Sequence, residues 1–411
     1  MNKVQTLKGF RDYLPGQMAV RNRVIGIIRN VFEKYGFEEL QTPAMEYQEV
    51  LLGKYGEEAE KLMYLFDDPG GRSVGLKYDL TVPLARVMAT YPQLPKPFKR
   101  YQMQPVWRAE KPQKGRFREF YQCDVDTIGS SSPLADAEII AVISESLENL
   151  GFEDFSININ SRKVLFHIME SSGLPEDKYL TVIQSVDKLD KKPEEEIKQE
   201  LRNKGINEQS IENLFSSMKS CQPDEYLQQV INLAKKYSVD DRLYFQPSLA
   251  RGLDYYTGPI FETVVTEPKI GSITGGGRYD NLLKQIGGPD EPAVGTTIGL
   301  DRIVEVITEL EMNNDIPFSS TKVLATVFQP ELLDDTIDLV NSLRKSGINT
   351  ELYPDENSKI EKQLKYADKK GIPFAIIVGP EETERGKYVL KNLEERTQQE
   401  LSFEELLATL S

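Results

Sequence analysis

The chain has 411 residues and a formal net charge of −15, with one histidine and two cysteines. That length supports two or three domains with substantial cores. The acidic balance excludes a global basic field that would attract nucleic acid, so any RNA partner must be held by local patches. Cys123 and Cys221 lie far apart and outside any C-x-x-C pair, which argues against a disulfide framework or a zinc ribbon. A lone histidine, His167, rules out multi-histidine metal sites. It sits in an apolar helical run, which reads as a structural position and argues against Ser-His-Asp or Cys-His catalysis.

No run of about 18 apolar residues occurs, so no membrane span is expected. The first nine residues lack the apolar core of a secretory signal, and a cytoplasmic location is expected.

Val20, Val24, Ile27, Ile28, Val31 and Phe32 recur at three- and four-residue spacings and predict a helix that stops at Tyr35-Gly36. Phe37 to Pro43 predicts a short strand ended by proline. In Leu76 to Arg86, Asp79 and Thr81 stand beside Pro83 at a helix start. Thr81 is suited to capping that helix, and the pair is suited to receiving an ammonium group. Phe98 to Lys111 and Phe117 to Asp126 predict two antiparallel strands around the basic loop Pro112 to Arg116. Arg108 and Glu110 then share a face of the first strand, and Gln122, Asp124 and Asp126 one face of the second. Such a polar row is either solvent-facing or a site. An arginine on the facing strand favours a site.

A helix is expected over Leu134–Leu150, a strand over Phe155–Asn160, and a mostly helical, charged stretch from Arg162 to Asp241 with no chemical motif. The segment Arg251-Gly252-Leu253-Asp254-Tyr255-Tyr256-Thr257-Gly258-Pro259 combines a guanidinium, two amphipathic rings and a turn before the strand Ile260–Thr266. As a surface hairpin it would carry an ordinary ion pair; as a site it offers a fork for a carboxylate or phosphate. Gly275-Gly276-Gly277 precedes Arg278-Tyr279-Asp280 and permits close backbone approach to a ligand, without Walker or Rossmann spacing. Residues 309–317 read as a linker. Strands and helices alternate from Lys322 to Leu410, which predicts an α/β domain with a mostly parallel sheet. Lys359, Lys362, Lys365, Lys369 and Lys370 lie on or near one helix there, either a solvated face or a phosphate-contacting one.

The ordered set of segments resembles the histidyl-tRNA synthetases. The helix and strand to Pro43 are similar to motif 1 of class II aminoacyl-tRNA synthetases, Val106 to Asp126 to motif 2, and Ala293 to Ile303, carrying Arg302, to motif 3. The Lys77–Arg86, Arg251–Glu262 and Gly276–Asp280 stretches resemble that family's histidine-binding elements. The resemblance implies an α+β catalytic domain, an antiparallel sheet flanked by helices, with a helical insertion and a C-terminal α/β anticodon-binding domain. The expected divisions are 1–160 and 242–314 for the catalytic domain, 161–241 for the insertion, and 320–411 for the anticodon domain.

By the same resemblance the activity is ATP-dependent formation of histidyl-adenylate from L-histidine, followed by transfer to the 3′ end of tRNA(His), in a homodimer. Arg251 and Arg108 are the implied catalytic residues. Arg108, Glu110 and Arg302 would bind ATP, with Mg2+ carried on its phosphates and no protein ligand assigned to the ion. Asp79, Thr81, Gln122, Asp126, Arg251, Tyr255, Tyr256 and Tyr279 would bind histidine, the ring taken by Asp126 and Tyr256 and the ammonium by Asp79, Thr81 and Gln122. Lys111, Gln113 and Arg116 would meet the tRNA acceptor end. Two other readings are a non-catalytic paralogue that regulates histidine biosynthesis and a tRNA-binding or interaction-only module. The presence of the Arg251–Tyr256 element and the C-terminal domain disfavours the first. The presence of Arg108, Arg251 and Arg302 disfavours the second.

Overall fold

Residues Val24, Ile28, Val31 and Phe32 are all buried, which accounts for the helical run Pro15–Lys34. It ends where Gly36 takes φ +77°, a conformation that costs glycine nothing. The computed structural model describes residues 4–52, 62–112, 115–239, 241–250, 255–313 and 319–410. The chain divides into two compact units, residues 1–12 with 23–312 and residues 13–22 with 313–411. No helix among the described residues is long and apolar enough to cross a membrane.

The larger unit is built on strands β1 (Glu38–Glu39), β2 (Met45–Tyr47), β3 (Leu65–Asp67), β4 (Ser73–Leu76), β5 (Phe98–Trp107), β6 (Glu119–Ile128), β7 (Phe155–Ser161), β8 (Leu243–Phe245), β9 (Pro259–Val265), β10 (Thr274–Arg278) and β11 (Ala293–Gly299). Eight of them form one sheet in the order β1-β5-β6-β11-β10-β9-β7-β8. Its six central strands are antiparallel throughout, and a parallel strand closes each edge, β1 on β5 and β8 on β7. The expected antiparallel sheet is therefore a mixed one at its margins. β2, β4 and β3 form a separate three-stranded sheet.

The helix Pro133–Asn149, capped by the Ser132 side chain, buries Ile139, Ile140, Val142, Ile143 and Leu147. Five α-helices lie between β7 and β8 among the described residues, from Arg162–Ser171 to Glu225–Lys236. The last of them packs along Pro133–Asn149. Its Tyr226 hydroxyl donates to Asp136 Oδ2 at 2.8 Å, and the same buried carboxylate pairs with Arg278.

The second unit carries β12 (Val323–Val327), β13 (Thr350–Leu352), β14 (Phe374–Val378), β15 (Lys387–Asn392) and β16 (Thr397–Ser402) in the order β13-β12-β14-β15-β16. β12 runs parallel to β13 and β14, whereas β15 and β16 are antiparallel, so the sheet is half parallel where a mostly parallel one was expected. The difference is β16, whose residues Thr397 to Glu400 are exposed and show no apolar alternation. Its core gathers Val323, Leu343, Ile376, Val378, Leu390 and Leu406.

Candidate active site

Strand register assembles the site. Antiparallel partners point the same way. One row crossing the sheet is Gln102, Asp124, Thr297, Gly275, Glu262 and Asn158, contributed by β5, β6, β11, β10, β9 and β7. The neighbouring rows begin with Arg100, Asp126 and Gly295 on one side and with Gln104, Gln122 and Gly299 on the other. Above this face lies a cleft of about 510 Å³, into which Tyr78, Asp79, Arg108, Tyr255, Tyr279 and Arg302 also project.

Two glycines keep the floor open. A Cβ at Gly295 would lie 1.9 Å from Asp126 Oδ1, and one at Gly277 would lie 2.9 Å from the Tyr256 ring. Gly277 thus admits the Tyr256 ring and, on the next strand, Gly295 admits the Asp126 carboxylate, while Gly275 and Gly276 line the cleft. Tyr255 packs at a tilt against Tyr256 and edge-on against Tyr279, with centroids 4.7 and 5.9 Å apart, making an aromatic wall.

Asp126 is already partnered within the protein. Its Oδ1 accepts from the Tyr279 hydroxyl, and its Oδ2 lies 2.7 Å from Arg100 Nη2. That second contact is an ion pair by proximity, since neither atom completes a well-angled hydrogen bond. Burial raises the Asp126 carboxyl above its ordinary value, while Arg100 and the Tyr279 hydroxyl oppose the rise. Burial also pushes Asp124 up to about 7, with Arg100 opposing and Asp126 adding to it.

At the β5 end of the row, the buried Lys77 ammonium donates to Gln104 Oε1 at 2.7 Å and to the Thr42 carbonyl at 3.3 Å. Burial pulls it down to about 8, against the fields of Glu46 and Asp124. Gln102 Nε2 donates to the Thr42 hydroxyl at 2.7 Å and to Gln104 Oε1.

Asp124 sets a pH dependence. A carboxyl raised from 3.8 to about 7 holds its proton more tightly folded than unfolded, so its favourable contribution is complete below the ordinary value and fades as pH rises toward 7. Asp124→Asn removes that slope. Melting by calorimetry should show the variant gaining on wild type between pH 4 and 7, and parallel pH curves would refute the assignment.

Asp79 Oδ1 accepts the backbone amides of Thr81 and Val82 at 3.1 and 3.0 Å. Of the two residues, Asp79 therefore supplies the side-chain acceptor at the start of the helix Thr81–Thr90. Arg108 and Glu110 both line the cleft but do not sit on a strand, because β5 ends at Trp107. There the Arg108 amide bonds the Arg118 carbonyl and the Ala109 amide turns away to Leu62. Arg108 stacks over the Tyr78 and Phe120 rings at 4.3 and 5.0 Å, and its Nε donates to the Tyr78 carbonyl. Glu110 is engaged by Arg116 and by the Tyr78 hydroxyl. Arg302 Nη1 donates to the Ser272 carbonyl at the cleft wall. Lys111 is exposed beside the hairpin. Arg251 and Gln113 lie outside the described residues. His167 is exposed on the helix Arg162–Ser171, not packed in a core as its apolar neighbours suggested, because that helix turns its other face inward.

Sequence reasoning gave no role to Arg100, Gln102 or Gln104. Their alternation with Tyr101 and Met103 was the available signal. Val186, Asp187, Asp190 and Lys191 of the helical insertion also line the cleft, and no local pattern marks them.

A histidyl-tRNA synthetase family model matches residues 9–303 of the chain. The chain belongs to the histidyl-tRNA synthetase family. An anticodon binding domain model matches residues 316–411. The chain is similar to the histidine–tRNA ligase of Gloeobacter violaceus, with 39% identity covering 98% of this chain and 97% of that one. It is 40% identical to the histidine–tRNA ligase of Aeropyrum pernix, covering 92% and 91%. Its fold matches a crystal structure of histidyl-tRNA synthetase from Nostoc sp. with TM-score 0.87 at 31% identity, covering 100% and 99% of the two chains. A Bacillus halodurans protein described as an ATP phosphoribosyltransferase regulatory subunit/histidyl-tRNA synthetase shares the fold, with TM-score 0.78 at 19% identity over 92% of this chain. That likeness shows the fold alone, whereas the relatives that match this chain at about 40% identity over nearly its full length are named histidine–tRNA ligases.

Proposed function

We propose that the chain is a cytoplasmic, homodimeric histidine–tRNA ligase whose cleft first activates histidine with ATP and then passes it to tRNA(His). The observation that carries the chemistry is the polar row of β5, β6 and β11 facing a cleft walled by Tyr255, Tyr256 and Tyr279 and entered by Arg108 and Arg302. The histidine carboxylate is ionised at neutral pH and needs no base to attack the α-phosphate. Catalysis is then positioning and charge neutralisation. Arg108 and Arg251 would hold the α-phosphate, and Arg302 the γ-phosphate side. ATP enters as its magnesium complex. The ring would be read by Asp126, Tyr256 and Tyr279, and buried polar groups of this kind reject amino acids that leave them unpaired by about 10⁴-fold or more.

Amino-acid-dependent ATP–pyrophosphate exchange, run with all standard amino acids, tests the reading. Exchange with histidine alone is the expected result, and its absence would favour a regulatory paralogue. The dimer is supported by the family's motif 1 role; sedimentation of a fully active monomer at micromolar concentration would exclude it.

Transfer-RNA binding should weaken with salt despite the net charge of −15. Lys111 and Arg116 at the hairpin, and Lys359, Lys362, Lys365 and Lys369 around the helix Ile360–Lys370, are all exposed. Lys370 is less available because it pairs with Glu351. Each phosphate contact steepens the log–log slope by about 0.7 to 0.9. Neutralising both patches should flatten the slope, and an unchanged slope contradicts their role.

A further inference from the structure

Residues 8–11 carry no chemical motif, yet they lie across the base of the hairpin that presents Arg108 and Glu110. The Arg118 amide donates to the Gly9 carbonyl at 2.9 Å, and Arg118 Nη1 donates to the Lys8 carbonyl at 3.4 Å. Arg118 passes that hold onward. Its own carbonyl accepts the Arg108 amide at 2.8 Å, and its Nε donates to the Glu110 carbonyl at 3.1 Å. The packing is close. Gly9 takes φ +90°, and a Cβ there would come 2.8 Å from Pro112 Cγ and 2.9 Å from Arg118 Cδ.

Arg11 makes a second link. Its Nη2 donates to Asp301 Oδ1 at 2.5 Å, and its guanidinium carbon lies 3.6 Å from the centre of the Phe117 ring. Asp301 is 5% exposed, and its Oδ2 accepts the Tyr121 amide at 2.8 Å. It directly precedes Arg302 in the first turn of the helix Leu300–Glu309. Phe117, Tyr121, Asp301 and Arg302 all line the cleft, whereas Arg11 stands behind them. A guanidinium can lay its flat face on a ring while its edge meets a carboxylate, and a lysine cannot do both. The Arg11 side chain is 34% exposed, and an ion pair so placed adds little to the stability of a fold. What the pair does fix is direction: it ties the hairpin to the start of the helix that carries Arg302.

We propose that residues 8–11 form a brace behind the ATP-binding side of the cleft, with Arg11 as a positioning residue that sets Arg108 and Glu110 against Arg302. The assignment rests on the histidine-activation reading and goes beyond it by giving a residue outside the cleft control of ATP geometry. The Asp126, Tyr256 and Tyr279 side of the cleft is held by contacts of its own, so the brace acts on ATP and not on histidine.

Pyrophosphate exchange with ATP and histidine varied in turn tests this. Arg11→Ala should lower kcat/KM for ATP by about 10-fold, within the 10² that a 1 Å misplacement remote from the chemistry can cost. Histidine binding, measured by calorimetry without ATP, and the melting temperature should both stay close to wild type. Arg11→Lys keeps the charge for Asp301 but loses the stacking, and should fall between the two. On an Asp301→Asn background Arg11→Ala should cost little more, because the link is already broken. An unchanged ATP dependence in Arg11→Ala overturns the proposal. So does a loss shared equally by ATP and histidine with a lowered melting temperature, which marks a merely structural residue, and so does strict additivity with Asp301→Asn. Wild type that exchanges with no amino acid sinks the ligase reading and the brace with it; wild type that exchanges with histidine beside an unaffected Arg11→Ala sinks the brace alone.

Discussion

Arg108→Ala should lower histidine-dependent pyrophosphate exchange by about 10²- to 10³-fold, the usual loss when one donor aimed at developing charge is removed. The guanidinium is built for such aim. The Tyr78 and Phe120 rings hold its plane, and the Tyr78 carbonyl fixes Nε. Its terminal nitrogens make no ion pair among the described residues, although the residue lines the cleft. Arg108→Lys keeps the charge but loses both fork and stacking, so it should stay impaired. The stability loss should be only about 1 kcal/mol, as expected of partly exposed cation–π contacts. Near-normal exchange in Arg108→Ala would remove it from the catalytic set.

Arg100→Met should destabilise the larger unit by about 3–5 kcal/mol, because it strands the buried Asp126 carboxylate without its cation. Arg100 is fully buried, so solvent cannot replace it. Replacing both partners, Arg100→Met with Asp126→Leu, should recover much of that stability while histidine activation stays lost. Trp107, the only tryptophan, ends β5 and reports this unit by fluorescence during denaturation. A single variant as stable as wild type would show that Asp126 does not depend on Arg100.

How legible the molecule was depended on the range of the deciding forces. The helix Ile360–Lys370, the strand Phe374–Val378 and the helix Phe403–Leu410 follow from local periodicity, within the strand–helix alternation expected from Lys322 to Leu410. β16 was not, because an exposed edge strand is held by backbone pairing and shows no apolar alternation. The face shared by Gln122, Asp124 and Asp126 was readable from period two. Which of the three carries an uncompensated charge was not, because that depends on Arg100, which reaches Asp126 across the sheet from 26 positions away in the chain. Asp187 and Lys191 reach the cleft through the packing of the insertion, which no spacing in the sequence records.

The in-phase pairing of β5 with β6 over ten residues, and of β6 with β11 over seven, has a consequence for length variation. Deleting one residue within β6 would exchange its two faces, turning Cys123 and Val125 into the cleft and Gln122, Asp124 and Asp126 out of it. The hairpin loop lies beyond the last pair, Trp107 with Glu119, and carries no such constraint. Among related genes, insertions and deletions in this region should therefore collect between residues 108 and 118. Arg108, Glu110, Arg116 and Phe117 of that span line the cleft, so a length change there spares the strand register but moves these side chains.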